Sequence, residues 1–415
     1  MILRGRILAV EGAMLLARLP RAACADMVRI GTARSALYGR VAAVRDGSVT
    51  IAALGSTTGV RVGDRVEFDP CAPRTALGTV LLGRAVDAGG ASLDGAPSPA
   101  PCRQRSQRSG SAPRPDARVE ICCPLWTGVR AIDGLLAIGR GARAGIFGGP
   151  GLGKSQLLRR IVRDVQADAV VVALVGERGR EAAAWIAQLD ARMTICVATG
   201  DRSAAERVEA ARVAFAQAAA LRGRGLDVLL VVDSLARIGA ALREGAVARG
   251  ESAGRGGYPP SVFAELAALV EGAGRTCEGS VTLLATVLSD GDDRDPLSEA
   301  ARSLLDGHLQ LSARRAATGR FPAIDVLGSA SRTMAEVVTD EQSEAAARVR
   351  AALAWLERTA EARELGILPG EAWAQRVLAH EPALEAFLGQ DDQASAPEQT
   401  LAQLHELADR LGEAL

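Results

Sequence analysis

The sequence predicts an α/β protein: a mainly parallel sheet with helices on both faces, preceded by a small β-barrel and followed by a helical domain. Three observations carry that expectation. Between residues 119 and 334, short continuous apolar runs ("AGIFGG", "AVVVALVG", "DVLLVVD", "VTLLATVL") alternate with helical stretches, as buried parallel strands joined by crossover helices do. Residues 1–92 carry short strand-like runs without a convincing helical stripe, the pattern of a small barrel. From 335 to 415 the apolar spacing is helical.

In chain order, "YGRVAAVRDGSVTIAALG" sets Asp46-Gly47 between two β-branched runs, a two-residue hairpin signal. "GVRVGDRVEF" predicts a second strand pair around Gly63-Asp64. Residues 93–118, rich in Pro, Ser and Arg and without apolar periodicity, read as a solvated linker rather than an arm for an acidic partner. In the α/β region, "SVFAELAALVEGAG" places Val262, Phe263, Leu266, Leu269 and Val270 at helical spacing after Pro259-Pro260. In the last region Thr339 and Gln342 predict a capping box, and Val349, Leu353 and Leu356 share a face.

Composition narrows the function classes. Hydrophobic residues make up 48% of the 415 but aromatics only 3%, so Ala, Val and Leu must fill the core. The net charge is zero, which argues against a generic nucleic-acid binder with a strong basic field. Seven cysteines (Cys24, Cys71, Cys102, Cys122, Cys123, Cys196, Cys277) form an odd set without a CxxC pair. Reduced thiols in a cytosolic protein fit that set better than a disulfide framework or zinc site. The N-terminus superficially resembles a signal peptide, but Glu11 and Arg18 interrupt its apolar stretch. No run approaches the ~20 apolar residues that span a bilayer. A soluble, cytoplasmic protein is expected.

The chemistry begins at "GGPGLGKSQLL", which holds the one lysine of the chain against 48 arginines. Gly148-x-x-x-x-Gly153-Lys154-Ser155 fits the P-loop pattern, with a strand entering and a helix leaving. Its glycines let successive amides curl around phosphate oxygens, and the helix N-terminus adds a positive pole. Lysine is a compact charge on a slender stem, whereas arginine's planar fork is too wide for a slot between two phosphates. Gly148, Gly149, Pro150, Gly151, Leu152, Gly153, Lys154, Ser155 and Gln156 are therefore the candidate nucleotide-binding loop. Ser155 is placed to offer its hydroxyl to Mg²⁺. "DVLLVVD" ends in Asp233, where a carboxylate that holds the metal through water belongs, and "VVVALVGERGRE" sets Glu177 just past another buried strand. A carboxylate there can polarise an attacking water, and a strand-end Glu paired with Arg178 or Arg180 is the plainer alternative.

With those segments placed, the chain resembles the ATPases of type III secretion systems, flagellar and injectisome alike, which are relatives of the rotary ATP synthase β subunit. The resemblance rests on "PLWTGVRAIDGLLAIGRGAR", "GGPGLGKSQLL", "VGERGRE", "RGGYPPSVFAEL", "TVLSDGDDRDP", "RSLLDGHLQLS" and "GRFPAIDVLGSASR". It implies a RecA-like P-loop ATPase core at 119–334, which binds ATP with Mg²⁺. It also implies that Glu177 activates water, that Asp233 supports the metal and Glu181 its water shell, and that Arg178 and Arg237 contact the γ-phosphate. Phe321 falls where the family stacks an aromatic, usually Tyr, on adenine. Arg332, in "SASR", matches the arginine that family members insert into a neighbour's site, so the resemblance implies a homohexameric ring.

The partners it further implies are stator and central-stalk proteins, chaperone–effector complexes and the inner-membrane export gate, at the cytoplasmic face of that membrane. No specific nucleic acid is implied. A barrel beginning almost at Met1 tilts the expectation toward the injectisome branch over flagellar export. Two other readings stand beside it. A non-catalytic ring subunit would typically lack the carboxylate that Glu177 supplies. An RNA translocase of the same core wants aromatic stacking platforms, and the barrel region offers only Tyr38 and Phe68.

Overall fold

The computed structural model describes residues 4–31, 36–68, 76–100, 112–288, 295–366 and 370–412. The "SDGDDR" segment and residues 101–111 of the expected linker lie outside the described residues. The chain forms two compact units. One comprises Met1–Ala112, Ala169–Leu226 and Leu230–Gly272, the other Pro113–Asp168, Asp227–Leu229 and Ala273–Leu415.

In the first unit, strands Arg4–Glu11, Met14–Arg18, Met27–Gly31, Ala36–Arg45, Ser48–Leu54 and Arg65–Phe68 close a six-stranded barrel. The last strand meets the first at Arg4↔Glu67, which leaves no open edge. Alternate residues point inward, so Ile7, Leu15, Val28, Ile30, Ile51 and Val66 form the barrel core. The Asp46-Gly47 turn takes positive φ at both residues (44° and 76°), the requirement of a type I′ hairpin. The expected strand pair in "GVRVGDRVEF" is corrected to one strand, Arg65–Phe68. Gly63 and Asp64 are instead pinned to Ile7 by two backbone hydrogen bonds, and Val62 points into solvent.

The same unit carries an α/β layer. Strand Met193–Ala198 pairs in parallel with Ala169–Val175 on one side and with Arg84–Asp87 on the other. Residues 1–92 are thus not barrel throughout, because their last strand joins the sheet. Helix Ala204–Arg222 starts at a complete Ser203/Glu206 capping box, and alanines dominate its buried face. Helix Pro260–Val270 buries Val262, Leu266 and Val270, with Pro260 in its first turn, where a missing N–H costs nothing. Phe263 and Leu269 are only partly buried.

In the second unit, strand Arg143–Gly148 lies between parallel strands Ser280–Leu288 and Gly307–Leu311, and Ile324–Ser331 runs antiparallel at the edge. Helices Asp340–Arg358, Ala372–Ala379, Glu381–Leu388 and Pro397–Leu411 follow. Thr339 caps the first of these by accepting from the Gln342 amide at 3.2 Å. The reciprocal half of the expected capping box is missing, because the Gln342 side chain donates 2.9 Å to the Asp133 carbonyl. The strand Asp227–Asp233 begins in this unit and ends in the first.

Candidate active site

The candidate phosphate-binding loop is built mainly from backbone. Phe147 and Ile146 bury strand Arg143–Gly148, and Leu157, Leu158 and Ile161 bury helix Lys154–Asp164, so the loop between them is held at both ends. Gly151 and Gly153 turn it with φ of 79° and 87°, values that side chains resist. Gly149 is half-buried, while Pro150 and Gln156 are exposed and Leu152 half-buried at the loop's outer side. At Gly148 a Cβ would meet Leu311 at 3.1 Å. Gly153 caps the helix without any side-chain hydrogen bond, and a helix N-terminus of this kind favours an anion. Lys154 Nζ donates to the carbonyl of Gly148 at 2.7 Å and to that of Gly149, which holds the ammonium across the loop. Ser155 follows in the first helical turn.

The loop's chemistry fits a polyphosphate chain, since it brings an ammonium group and a helix N-terminus together and side chains at Gly151 and Gly153 would strain it. Among the described residues no cluster of three or more His, Cys, Asp or Glu could hold a metal by itself. The Ser155 hydroxyl is a hard oxygen donor of the kind Mg²⁺ takes beside waters and substrate phosphate oxygens.

Beside the loop, Phe321 is 45% exposed, so it is not the core residue that a phenylalanine usually is. It lines a cavity of about 840 Å³ together with Leu152, Gly153, Gln156, Arg320 and Gln390. A Cβ on Gly153 would touch its ring at 3.6 Å. Sequence reasoning missed the far wall of this cavity. The Gln390 amide donates 2.9 Å to the Phe321 carbonyl. Arg160, from the P-loop helix, donates to the carbonyls of Gln390 (3.2 Å) and Gln393 (2.8 Å). Arg130 holds the carbonyls of Ala386 at 2.8 Å and Phe387 at 3.2 Å. No local motif marks Arg130, Arg160 or Gln390, because sequence separations of more than 200 residues bring them together.

The candidate carboxylates belong to the other unit. Strand Ala169–Val175, buried at every position, delivers Glu177 to its carboxyl end, and helix Gly179–Ile186 starts two residues later. Glu177 is 5% exposed and ion-paired with Arg237 Nη1, not with Arg178 or Arg180. Arg237 comes from the first turn of helix Leu235–Ala248. Gly176 gives it room, since a Cβ there would meet Arg237 Cδ at 3.1 Å.

Burial raises Glu177 to about 7; the Arg237 hydrogen bond opposes that rise, while Glu181 and the Asp233 charge add to it. Glu177, Glu181, Asp233 and Arg237 are therefore one electrostatic group. Asp233, itself buried, ends its strand at a cis Asp233–Ser234 peptide. Arg178, expected at a γ-phosphate, is exposed at the helix N-cap. Arg237, expected in the same role, is engaged by Glu177 in this structure. Arg332 is exposed just beyond strand Ile324–Ser331, its backbone amide donating 2.9 Å to the Asp306 carbonyl.

Comparison with known proteins gives these elements relatives. The model of the ATP synthase alpha/beta family nucleotide-binding domain matches residues 128–331, and that of the family's beta-barrel domain matches 7–69. A type 3 secretion system ATPase of Sinorhizobium fredii is 38% identical, over 98% of this chain and 92% of its own length. A flagellum-specific ATP synthase of Treponema pallidum is 39% identical, over 94% of this chain and 89% of its own. The assembled ATPase EscN of the enteropathogenic E. coli type III secretion system, solved with its central stalk EscO, superposes with a TM-score of 0.89. It is 35% identical, with 97% of this chain and 100% of that one covered.

Proposed function

We propose that this chain, which belongs to the ATP synthase α/β family and within it to the type 3 secretion system ATPases, works as a ring motor whose ATP hydrolysis serves injectisome export. It is an ATP hydrolase. Lys154 and the backbone amides of Gly149 and of 151–155 grip the phosphates of ATP, and Phe321 stacks on the base. Mg²⁺, held by the Ser155 hydroxyl and Asp233 with Glu181 ordering its water shell, supplies charge neutralisation on the phosphates when bound.

Glu177 orients the attacking water and takes its proton. Its buried, acid-shifted carboxyl is a stronger base than an exposed glutamate, and Arg237 keeps the ionised form accessible near neutrality. Arg178 contacts the γ-phosphate, and Arg237 swings from Glu177 to join it. Arg332 reaches the site of the next subunit and stabilises charge that develops in the transition state. Such a site is complete only in an oligomer, and EscN, assembled and stalk-bound, supports a homohexamer with a central-stalk partner. Stator proteins, chaperone–effector complexes and the inner-membrane export gate complete the proposed surroundings. The location is the cytoplasmic face of the inner membrane; no described helix is long and apolar enough to cross one.

The observation that carries hydrolysis, over a binding-only ring subunit, is Glu177 buried at its strand end with a cation to tune it. The test is ATPase rate against protein concentration, with Lys154→Ala and Arg332→Ala chains mixed into wild type. Shared sites require mixed rings to poison one another and specific activity to fall on dilution. Activity strictly proportional to the wild-type fraction would refute them.

A further inference from the structure

Away from the phosphate and carboxylate groups, two adjacent cysteines sit in a strap of irregular chain before strand Pro124–Leu125. Both are exposed. The strap is tied to the hairpin residue Arg275 by three contacts. The Val119 amide donates 3.2 Å to the Arg275 carbonyl, and Arg275 Nη1 donates to the Glu120 carbonyl at 2.7 Å and to Cys122 Sγ at 2.6 Å. Cys123 Sγ lies 3.6 Å from Cys122 Sγ. Its carbonyl is fixed by the Arg140 amide at 2.9 Å, and Arg140 in turn pairs with Asp227 at 2.6 Å. An exposed sulfur with a guanidinium on one side and a second thiol on the other is the setting of a nucleophilic thiol rather than a packing one.

We propose that Cys122 and Cys123 form a thiol–disulfide exchange site for low-molecular-weight disulfides, with Cys122 the attacking sulfur and Cys123 the resolving one. The geometry assigns the two roles asymmetrically. The Arg275 hydrogen bond, with help from the neighbouring thiol, lowers the pKa of Cys122 and favours its thiolate. That same contact between the sulfurs, together with burial, raises Cys123 and keeps it a thiol until it is needed. Buried Cys196, pushed up to about 12 by desolvation, is a useful contrast: it is a core atom and no nucleophile.

In the first step the Cys122 thiolate attacks one sulfur of the disulfide RSSR. A Cys122–S–S–R bond forms, the R–S–S–R bond breaks, and RS⁻ leaves and takes up a proton. In the second, Cys123 gives its proton to solvent and attacks Cys122 Sγ, expelling the second RS⁻. Two electrons pass from the pair to the reagent, and the two RS⁻ take up the proton that Cys123 released and one more from solvent to depart as two RSH. Adjacent Cα atoms lie about 3.8 Å apart, short of the 4.4–6.8 Å that disulfides usually bridge, so the closed pair is strained and reopens readily with added thiol.

The experiment treats the full-length chain with oxidised glutathione, quenches with acid at intervals and maps each cysteine by mass spectrometry. Cys122 should react about tenfold or more faster than the exposed Cys24 and Cys277, and the product should be a Cys122–Cys123 disulfide that dithiothreitol reverses. Arg275→Gln should slow Cys122 selectively. Cys123→Ser leaves Arg275 in place and should trap the mixed disulfide, with one glutathione retained on Cys122. Equal rates at Cys122, Cys24 and Cys277, or a Cys123→Ser chain that yields the same product as wild type, would overturn the assignment.

Discussion

The phosphate loop and the cavity beside it adjoin on the same helix, yet they are made in opposite ways. The loop, Gly148–Ser155, is one continuous stretch that offers backbone amides, three glycines with positive φ and one ammonium. The cavity is walled by side chains from four distant stretches, around Arg130, Gln156, Phe321 and Gln390. Chemistry that a backbone performs must be written in neighbouring residues, whereas a wall for a flat apolar base can be gathered from anywhere that packing allows. Loss of the loop should therefore abolish turnover, while loss of a wall should weaken it by degrees.

The largest effects should come from charge at the reacting phosphate. Lys154→Ala and Glu177→Gln should each lower kcat by about 10³-fold or more, measured as phosphate release from the assembled protein. They should differ in binding: Lys154→Ala loses nucleotide, whereas Glu177→Gln keeps it, as read by equilibrium binding of a fluorescent ATP analogue. A Glu177→Gln chain that turns over normally would leave the carboxylate without a catalytic role. Arg332→Ala should cost on the order of 10³ in kcat with little change in nucleotide affinity.

Next comes a pH effect with a definite sign. In the proposed mechanism the carboxylate form of Glu177 is the active one, and burial raises its pKa to about 7. The rate kcat/KM should therefore be full above that value and fall about tenfold per pH unit below it. Arg237 lowers the pKa of Glu177, so Arg237→Ala should move the fall to higher pH as well as reduce the plateau. An unmoved midpoint would show that the ion pair does not tune the base.

What the sequence revealed divides along the same line as the loop and the cavity. The strand-end places of Glu177 and Asp233 were legible because an apolar run stops there at a polar residue, and the place of Lys154 at a helix start was legible from the glycine spacing before it. The Asp46-Gly47 hairpin was legible because its turn demands positive φ at both positions. "GVRVGDRVEF" misled because alternation alone does not show that Val62 faces water. Nor did the Thr339/Gln342 spacing reveal that the glutamine would be recruited by the Asp133 carbonyl, 209 residues away. The Arg237–Glu177 pair was hidden for the same reason: each residue has a familiar place in its own segment, and only the fold joins them.

The smallest effects test the cavity wall. Phe321→Ala should raise KM for ATP by several-fold to tenfold, consistent with about 0.5–1.5 kcal/mol of aromatic contact, and leave kcat nearly intact. Arg160→Met is the subtler change. The guanidinium, buried on the P-loop helix, is what holds the carbonyls of Gln390 and Gln393 against the cavity. Methionine keeps much of the apolar stem but offers no donor, so the Gln390 carbonyl loses the Arg160 donor and the Gln393 carbonyl keeps only the Gln390 side-chain amide, at a cost of about 1–3 kcal/mol. Part of that cost should appear as a lower melting temperature. The rest should appear as a KM raised two- to fivefold, because the Gln390 wall then samples positions away from Phe321. Saturating ATP should restore both the rate and, by mass action, part of the lost stability. A melting point that falls while KM stays at the wild-type value would show that Arg160 supports only the fold, and that the wall keeps its place without it.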